Sequence, residues 1–327
     1  HNAGHNAGHN AGHNAGHNGG HSGGHSGGHS GGHNSGRECR IGTEDRNGRQ
    51  ERRTQRRSGL FGIQGRLYYL CGKSRKVMKQ YFSVALAVLF CALMPAACTT
   101  QTTAVKFMSY NIRNGRGADD VQDLGRIAEV IGRVAPDVVA LQEVDSVTGR
   151  MNGRFIPEEL GRMTGMHARF CRAIDYDGGG YGIGLLSRAE PLSVRRIPLP
   201  GREEARVLLM AEFPGYVVCV THLSLTPEDQ RASLPIIRQA TDTCRKPVLL
   251  AGDFNMDDAG KVLGGLGGEF RPLSDTAQLT FPSDRPSIRI DYILGRGLPQ
   301  SAKIAERTVD YTTVASDHCP LWVSLVW

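Results

Sequence analysis

No apolar run in this 327-residue sequence reaches the roughly 20 residues that a membrane-crossing helix needs; the longest, Tyr81 to Met94, has about 14. Among Cys171, Cys219, Cys244 and Cys319 no pair falls at CxxC spacing, which argues against zinc fingers. Residues 1–36 have no large apolar side chain. They repeat every four residues as His-Asn-Ala-Gly, then His-Asn-Gly-Gly or His-Ser-Gly-Gly, and hold nine of the 12 histidines. Such a tract buries too little surface to offset the entropy of ordering it, so disorder is expected there. Lysine is scarce after residue 79, at Lys106, Lys246, Lys261 and Lys303 only. Between Arg37 and Lys79 stand 13 Lys+Arg against four Asp+Glu, which leaves 26 against 28 from residue 80 onward. The overall charge of +7 therefore belongs to the tail and gives no argument for a nucleic-acid-binding domain.

The first methionine is Met78. Lys79, the apolar run and Pro95-Ala96-Ala97-Cys98 follow it, and residues 78–98 read as a secretion signal. On this reading synthesis begins at Met78 and residues 1–77 are upstream sequence; the alternative is a genuine His-rich extension that binds Zn or Ni weakly through its imidazoles. Cys98 resembles the acylated cysteine of a bacterial lipoprotein, although Pro95 stands where such a site usually has Leu, so cleavage without lipid stays open. Either way the mature protein is expected outside the cytoplasm: periplasmic, secreted or lipid-anchored, a monomer that meets the membrane only through the signal or the lipid. Export permits disulfides, yet Cys219 lies in an apolar strand pattern and is expected to be a buried free thiol.

The remaining residues suffice for one large domain, placed at 105–327. Strands are predicted at 104–110, 137–141, 182–187, 207–213, 216–221, 247–251, 289–294 and 320–326. One helix follows a cap at Asp119 or Asp120, carries Val121, Leu124, Ile127, Ala128, Ile131 and Val134 at helical spacing, and stops at Pro136. A second starts with Thr226 as N-cap, Pro227 at the first helical position and Asp229 at the third, and Pro235 should kink or interrupt it. Many strands with few helices between them favour an α/β class with two stacked sheets and helices outside.

Polar groups gather where these strands end: SYNIR from Ser109, LQEV from Leu141, THLS from Thr221, GDFN from Gly252, RIDYI from Arg289 and SDH from Ser316. Glu143 directly follows an apolar strand, where an unpaired carboxylate costs several kcal/mol and a cation would remove the cost. Glu143, Asp253, Asp291 and Asp317 with Asn111 and Asn255 form an all-oxygen set that suits Mg²⁺ or Mn²⁺ rather than Zn²⁺.

Taken in this order, the six motifs resemble the endonuclease/exonuclease/phosphatase superfamily, from about Val105 to Val326. The resemblance implies a four-layer α/β/β/α sandwich of two packed mixed sheets flanked by helices, with divalent-metal-dependent hydrolysis of phosphate esters at one edge. By the same resemblance Glu143, Asn111 and Asp317 take the metal, Asn111 also standing beside the phosphate. Asp253 holds the attacking water, Asn255 contacts the phosphate, His222 hydrogen-bonds it, and His318 pairs with Asp291. Phosphoryl transfer needs hydrogen-bonding and positive groups fixed around the non-bridging oxygens, which agrees with these roles. Arg206, Arg188 and Tyr181 are weaker candidates for reaching the phosphate. Gly178–Gly182 reads as a turn, because no Lys-Ser/Thr follows as in a phosphate-binding loop, and Thr280–Asp284 reads as pocket rim. His167 is taken as structural, and Asp145, Asp175, Asp177, Asp257 and Asp258 as loop acids or helix caps.

With a near-neutral domain and short intervals between motifs, the expected substrate is a small or lipid-derived phosphate ester. A nuclease acting on DNA or RNA is the alternative. In another class stands a non-catalytic binding protein that keeps the fold, although such a protein would be expected to have lost one or more of the motif residues.

Overall fold

The structure is a computed structural model and describes residues 102–327. The four-residue repeat, the basic segment and the 78–98 signal with Cys98 lie outside the described residues.

Six strands form each of two sheets. In chain order the elements are β1 (Ala104–Asn111), α1 (Leu124–Val134), β2 (Val138–Ser146), α2 (Ile156–Thr164), β3 (His167–Tyr176), β4 (Gly179–Ser187), β5 (Ser193–Leu199), β6 (Arg206–Glu212), β7 (Val217–His222), α3 (Pro227–Asp242), β8 (Val248–Asp253), α4 (Ala259–Gly265), β9 (Arg271–Pro272), β10 (Asp291–Arg296), β11 (Lys303–Val309) and β12 (Leu321–Val326). One sheet has the order β11-β12-β1-β2-β4-β3 and the other β5-β6-β7-β8-β10-β9. Each is mixed: β1 and β2 run parallel, as do β7 and β8, and the other neighbours run antiparallel.

Strand side chains alternate between faces, and here both faces are apolar, so the central strands read as continuous hydrophobic runs. Phe107, Ala140, Val218, Val220, Leu249 and Ala251 fill the space between the sheets. Their neighbours Met108, Tyr110, Val139 and Leu141 face a second core with Ile127 and Ile131 of α1 and Leu160 of α2. On the other sheet Cys219 and Leu250 pack with Leu234 and Ile237 of α3 and Val262 of α4. The result is the expected four-layer α/β/β/α sandwich.

The first helix starts later than expected. Asp123 caps it by accepting from Gly125 N at 2.7 Å, Asp119 instead accepts from Val121 N and pairs with Arg126, and Val121 is 53% exposed. In α3 Thr226 holds the cap position, yet its hydroxyl donates to Glu203 rather than capping the helix. The helix runs on through Pro235, which sits on the exposed face, where water can reach the carbonyl its ring leaves unbonded. The glycine turn is shorter than expected, and Gly179–Gly182 already belong to β4. Cys219 is buried and unpaired, as expected.

The registers place the strand ends together. Asn111 lies opposite Gln142, His222 opposite Asp253, and Asp253 opposite Asp291. Gly252 makes this possible, because a Cβ there would stand 2.0 Å from the Thr221 carbonyl oxygen. Gly252→Ala is therefore expected to force β7 and β8 apart and destabilise the protein by about 1–3 kcal/mol or more, measured by urea denaturation.

Candidate active site

Asn111 is the centre of the strand-end cluster. It is fully buried, and its Nδ2 donates to Glu143 Oε1 at 3.0 Å and to Asp253 Oδ2 at 3.1 Å. Its Oδ1 accepts Arg113 N at 3.1 Å, so the amide orientation is fixed by its partners. Asn111 is thus a strut between the two acids, and its oxygen, which has a second lone pair, keeps an acceptor position beside them. Glu143 reaches the cluster because β2 shifts register between Leu141 and Val144 and Glu143 takes φ 57°, a bulge that re-aims its side chain.

Around Asp253, His222 Nε2 lies 3.6 Å from Oδ2 and His318 Nε2 lies 3.7 Å from it. Asn255 N donates to Asp253 Oδ1 at 2.9 Å, and its side-chain amide donates to Leu223 O at 2.9 Å. Asn255 is held at φ 51° while Gln230 Nε2 donates to its carbonyl at 2.8 Å. His318 Nδ1 meets Asp291 Oδ2 at 2.9 Å. The Phe281 ring packs 4.7 Å from His318, and Thr280 Oγ1 accepts the backbone N–H of Ile290 and Asp291 at 3.2 Å each. The Thr280–Asp284 segment thus braces the Asp–His pair from behind. Ser316 Oγ donates to Asn111 O at 2.7 Å and ties the SDH turn to β1.

The two histidines sit in opposite fields. Burial, with Arg206 and His318 nearby, holds His222 well below the usual histidine range. Burial also opposes a charged His318, yet Asp291, Asp253 and Asp317 overcome it and carry the imidazole up to about 10. Burial and then Asp291 push the Asp253 carboxyl up to about 7, against the pull of His318. Burial raises Glu143, opposed by the Asn111 hydrogen bond and reinforced by Asp317. In metal-free protein, nitrogen-detected NMR is expected to find His318 still protonated at about pH 8 and His222 titrating below the ordinary value near 6.5. A neutral His318 at pH 7 would contradict this electrostatic balance.

Single ligand atoms of Asp253, Asp291 and His318 lie within 4.8 Å of one another, but Asp291 is already bonded to His318 and a charged imidazole repels a cation. The open carboxylates are Glu143, half-buried and without an ion-pair partner among the described residues, and Asp317, whose one ion pair there is with Arg113 Nε at 3.4 Å. Asp317 lies near enough to raise Glu143, and two acids so placed suit a hard divalent cation.

Of the weaker candidates, Arg206 and Tyr181 flank the site. Leu208 pairs with Thr221, so Val207 stands across from His222 and Arg206 one residue beyond; Arg206, Tyr181 and His222 line one small cavity. Arg188 is a correction. It follows the Ser187–Val138 pair, and its Nε donates to Pro136 O at 3.0 Å. From there to Glu143 is five residues along β2, roughly 17 Å at strand rise, so it cannot reach the phosphate. Asp145 is not a loop acid. It is fully buried and holds Arg150 through contacts of 2.6 and 2.7 Å. Asp258 does cap α4, accepting from Lys261 N at 3.1 Å. His167 is exposed at the start of β3. Arg113, inside SYNIR, and Glu204 were not anticipated as site neighbours; only the position of Arg113 within its motif could have signalled it.

Two stacked mixed sheets with an acid–asparagine–histidine cluster at one edge define an α/β-sandwich hydrolase. Residues 108–318 match the Endonuclease/Exonuclease/phosphatase family, and the chain belongs to that family. Its members are phosphoesterases and nucleases that generally use divalent metals, and this chain is a hydrolase of that class. Exodeoxyribonuclease III of Haemophilus influenzae is 25% identical over 284 residues, 67% of this chain and 98% of its own. An endonuclease/exonuclease/phosphatase structure from Beutenbergia cavernae superposes with TM-score 0.53 at 24% identity, covering 68% of this chain and 71% of the other. The mannosyl-6-phosphatase structure from Bacteroides thetaiotaomicron has TM-score 0.55 at 17% identity, with 68% and 100% covered.

Proposed function

We propose that this protein is a divalent-metal-dependent phosphoesterase, working outside the cytoplasm as a monomer, that hydrolyses a small or lipid-derived phosphodiester or phosphomonoester by in-line attack of water. The observation that carries the reading is the Asn111 bridge, which holds the Glu143 and Asp253 carboxylates on two different sheets at 3.0 and 3.1 Å from one amide nitrogen. Glu143 and Asp317 would hold Mg²⁺ or Mn²⁺, which when bound supplies positive charge for the phosphoryl oxygens. Asp253 orients the attacking water and takes its proton, for which a carboxyl raised to about 7 is well matched. Neutral His222 and the amide of Asn255 donate to the phosphate. His318, kept charged by Asp291, stabilises the negative charge that builds in the transition state.

The arginines around the site support a small substrate. Arg113 pairs with Asp120 and Asp317, Arg150 with Asp145, Arg202 with Asp229 and Arg206 with Glu204. Charge already matched by acids attracts a polyanion weakly. The exodeoxyribonuclease III relative favours the second reading, a nuclease. The full chain with Mg²⁺ is to be tested on bis-p-nitrophenyl phosphate, p-nitrophenyl phosphate and supercoiled plasmid. Turnover of the nitrophenyl esters without nicking is expected. Nicking at low enzyme would establish the nuclease instead.

A further inference from the structure

One cation already stands beside the acids assigned to the metal. Arg113 follows the end of β1, takes φ 43°, and its backbone N–H holds the Asn111 amide oxygen at 3.1 Å. Its half-buried guanidinium lies between two carboxylates. Nε is 3.4 Å from Asp317 Oδ2, while Nη1 is 3.2 Å from Asp120 Oδ1 and donates to Gly117 O at 3.1 Å. Asp120 is exposed, and Arg116 also approaches it at 3.9 Å.

The turn that carries Asp317 is fixed beside this arginine. The Asp317 carbonyl accepts Ser283 N at 2.7 Å, and its Oδ1 lies 3.4 Å from the Ser316 hydroxyl, which is itself tied to Asn111 O. A guanidinium at 3.4 Å from one carboxylate oxygen opposes a divalent cation bound by Glu143 and Asp317. If the ion pair separates to admit the metal, its energy is lost; if it persists, a positive charge remains next to the metal. Both cases weaken metal binding. Asp120 acts in the other direction, because its negative charge on the solvent side offsets part of the guanidinium's. In metal-free protein the same guanidinium reduces the repulsion between Asp317 and Glu143, so the fold loses less when the ion leaves.

We propose that Arg113 sets the metal affinity of the site by competing with the divalent cation for Asp317, and that Asp120 moderates this competition by sharing the guanidinium. The inference rests on the metal-dependent reading above, with Glu143 and Asp317 as the metal acids. It makes Arg113 a positioning residue that acts through Asp317, with no contact to the substrate required.

The test is the Mg²⁺ dissociation constant of the full chain, fitted from the rise of melting temperature with added MgCl₂ and referred to the value in EDTA. Wild type is compared with Arg113→Gln, Arg113→Lys and Asp120→Asn. The Asn substitution keeps the shape of Asp120 and tolerates its φ of 60°. In Arg113→Gln the Kd is expected to fall about fivefold, the size of a partly exposed ion pair, while the melting temperature in EDTA drops. Arg113→Lys keeps the charge and should stay within about twofold of wild type. Asp120→Asn should shift the other way, raising Kd about twofold, and more at low salt. Opposite signs at two partners of one guanidinium are not expected from a merely structural role. A Kd unchanged or raised in Arg113→Gln overturns the inference, as does an equal fall in Arg113→Lys; in either case a wild type that responds to magnesium leaves the metal-dependent reading standing. A wild-type melting temperature indifferent to magnesium overturns that reading and the inference with it.

Discussion

Asp253→Ala is expected to lower kcat on nitrophenyl phosphate esters by about 10³-fold or more, with little change in melting temperature. The carboxylate is 1% exposed, it accepts from Asn111 and Asn255, and both histidines stand within 3.7 Å of it. No other acid in the cluster has this position between the two imidazoles. Burying its charge is unfavourable for folding, so its removal relieves a strain that the active site maintains. Asp253→Asn should lose as much activity while keeping the shape, because an amide orients water but cannot take its proton. Steady-state kinetics with melting curves separates this outcome from misfolding. Retention of more than about a tenth of kcat would mean that another group is the base, and His318 would then be the first suspect.

The second large effect is expected at Glu143. Added Mg²⁺ should raise the melting temperature of the wild-type chain, since a ligand that binds only the folded state stabilises it by mass action. Glu143→Gln, nearly equal in shape and still able to accept from Asn111, should abolish that shift and reduce activity by about 10³-fold. Magnesium is the right probe because the nine histidines of residues 1–36 have little affinity for so hard a cation. A magnesium shift that survives in Glu143→Gln would place the metal elsewhere.

Much of this site was legible because each motif sits at the end of an apolar strand. Val138–Leu141 reads as a buried strand on composition alone, and the polar residues that follow can only lie at its edge. The stacked sheets were legible for the same reason, and all eight predicted strands occur. What stayed hidden was decided by neighbours distant in sequence. Strand β5, with its exposed Ser193–Arg196, is polar by pattern and is held by backbone pairing to β6. Asp145 looked like a loop acid because its partner Arg150 approaches only once the following turn has formed. Arg188 and Arg206 both flank apolar strands, and only the strand direction, read from the register, separates the one near His222 from the one at the far end of β4. The strut role of Asn111 depends on a carboxylate 142 residues away.

The central claim is that one metal-dependent site at the sheet edge hydrolyses phosphate esters. Its most direct test is release of nitrophenol from bis-p-nitrophenyl phosphate by the full chain, with Mg²⁺, with EDTA, and with His318→Ala. The account predicts turnover with Mg²⁺, none measurable with EDTA, and a loss of about 10²-fold or more in His318→Ala. Activity that persists through both EDTA and His318→Ala would show that the chemistry happens somewhere other than the cluster around Asn111.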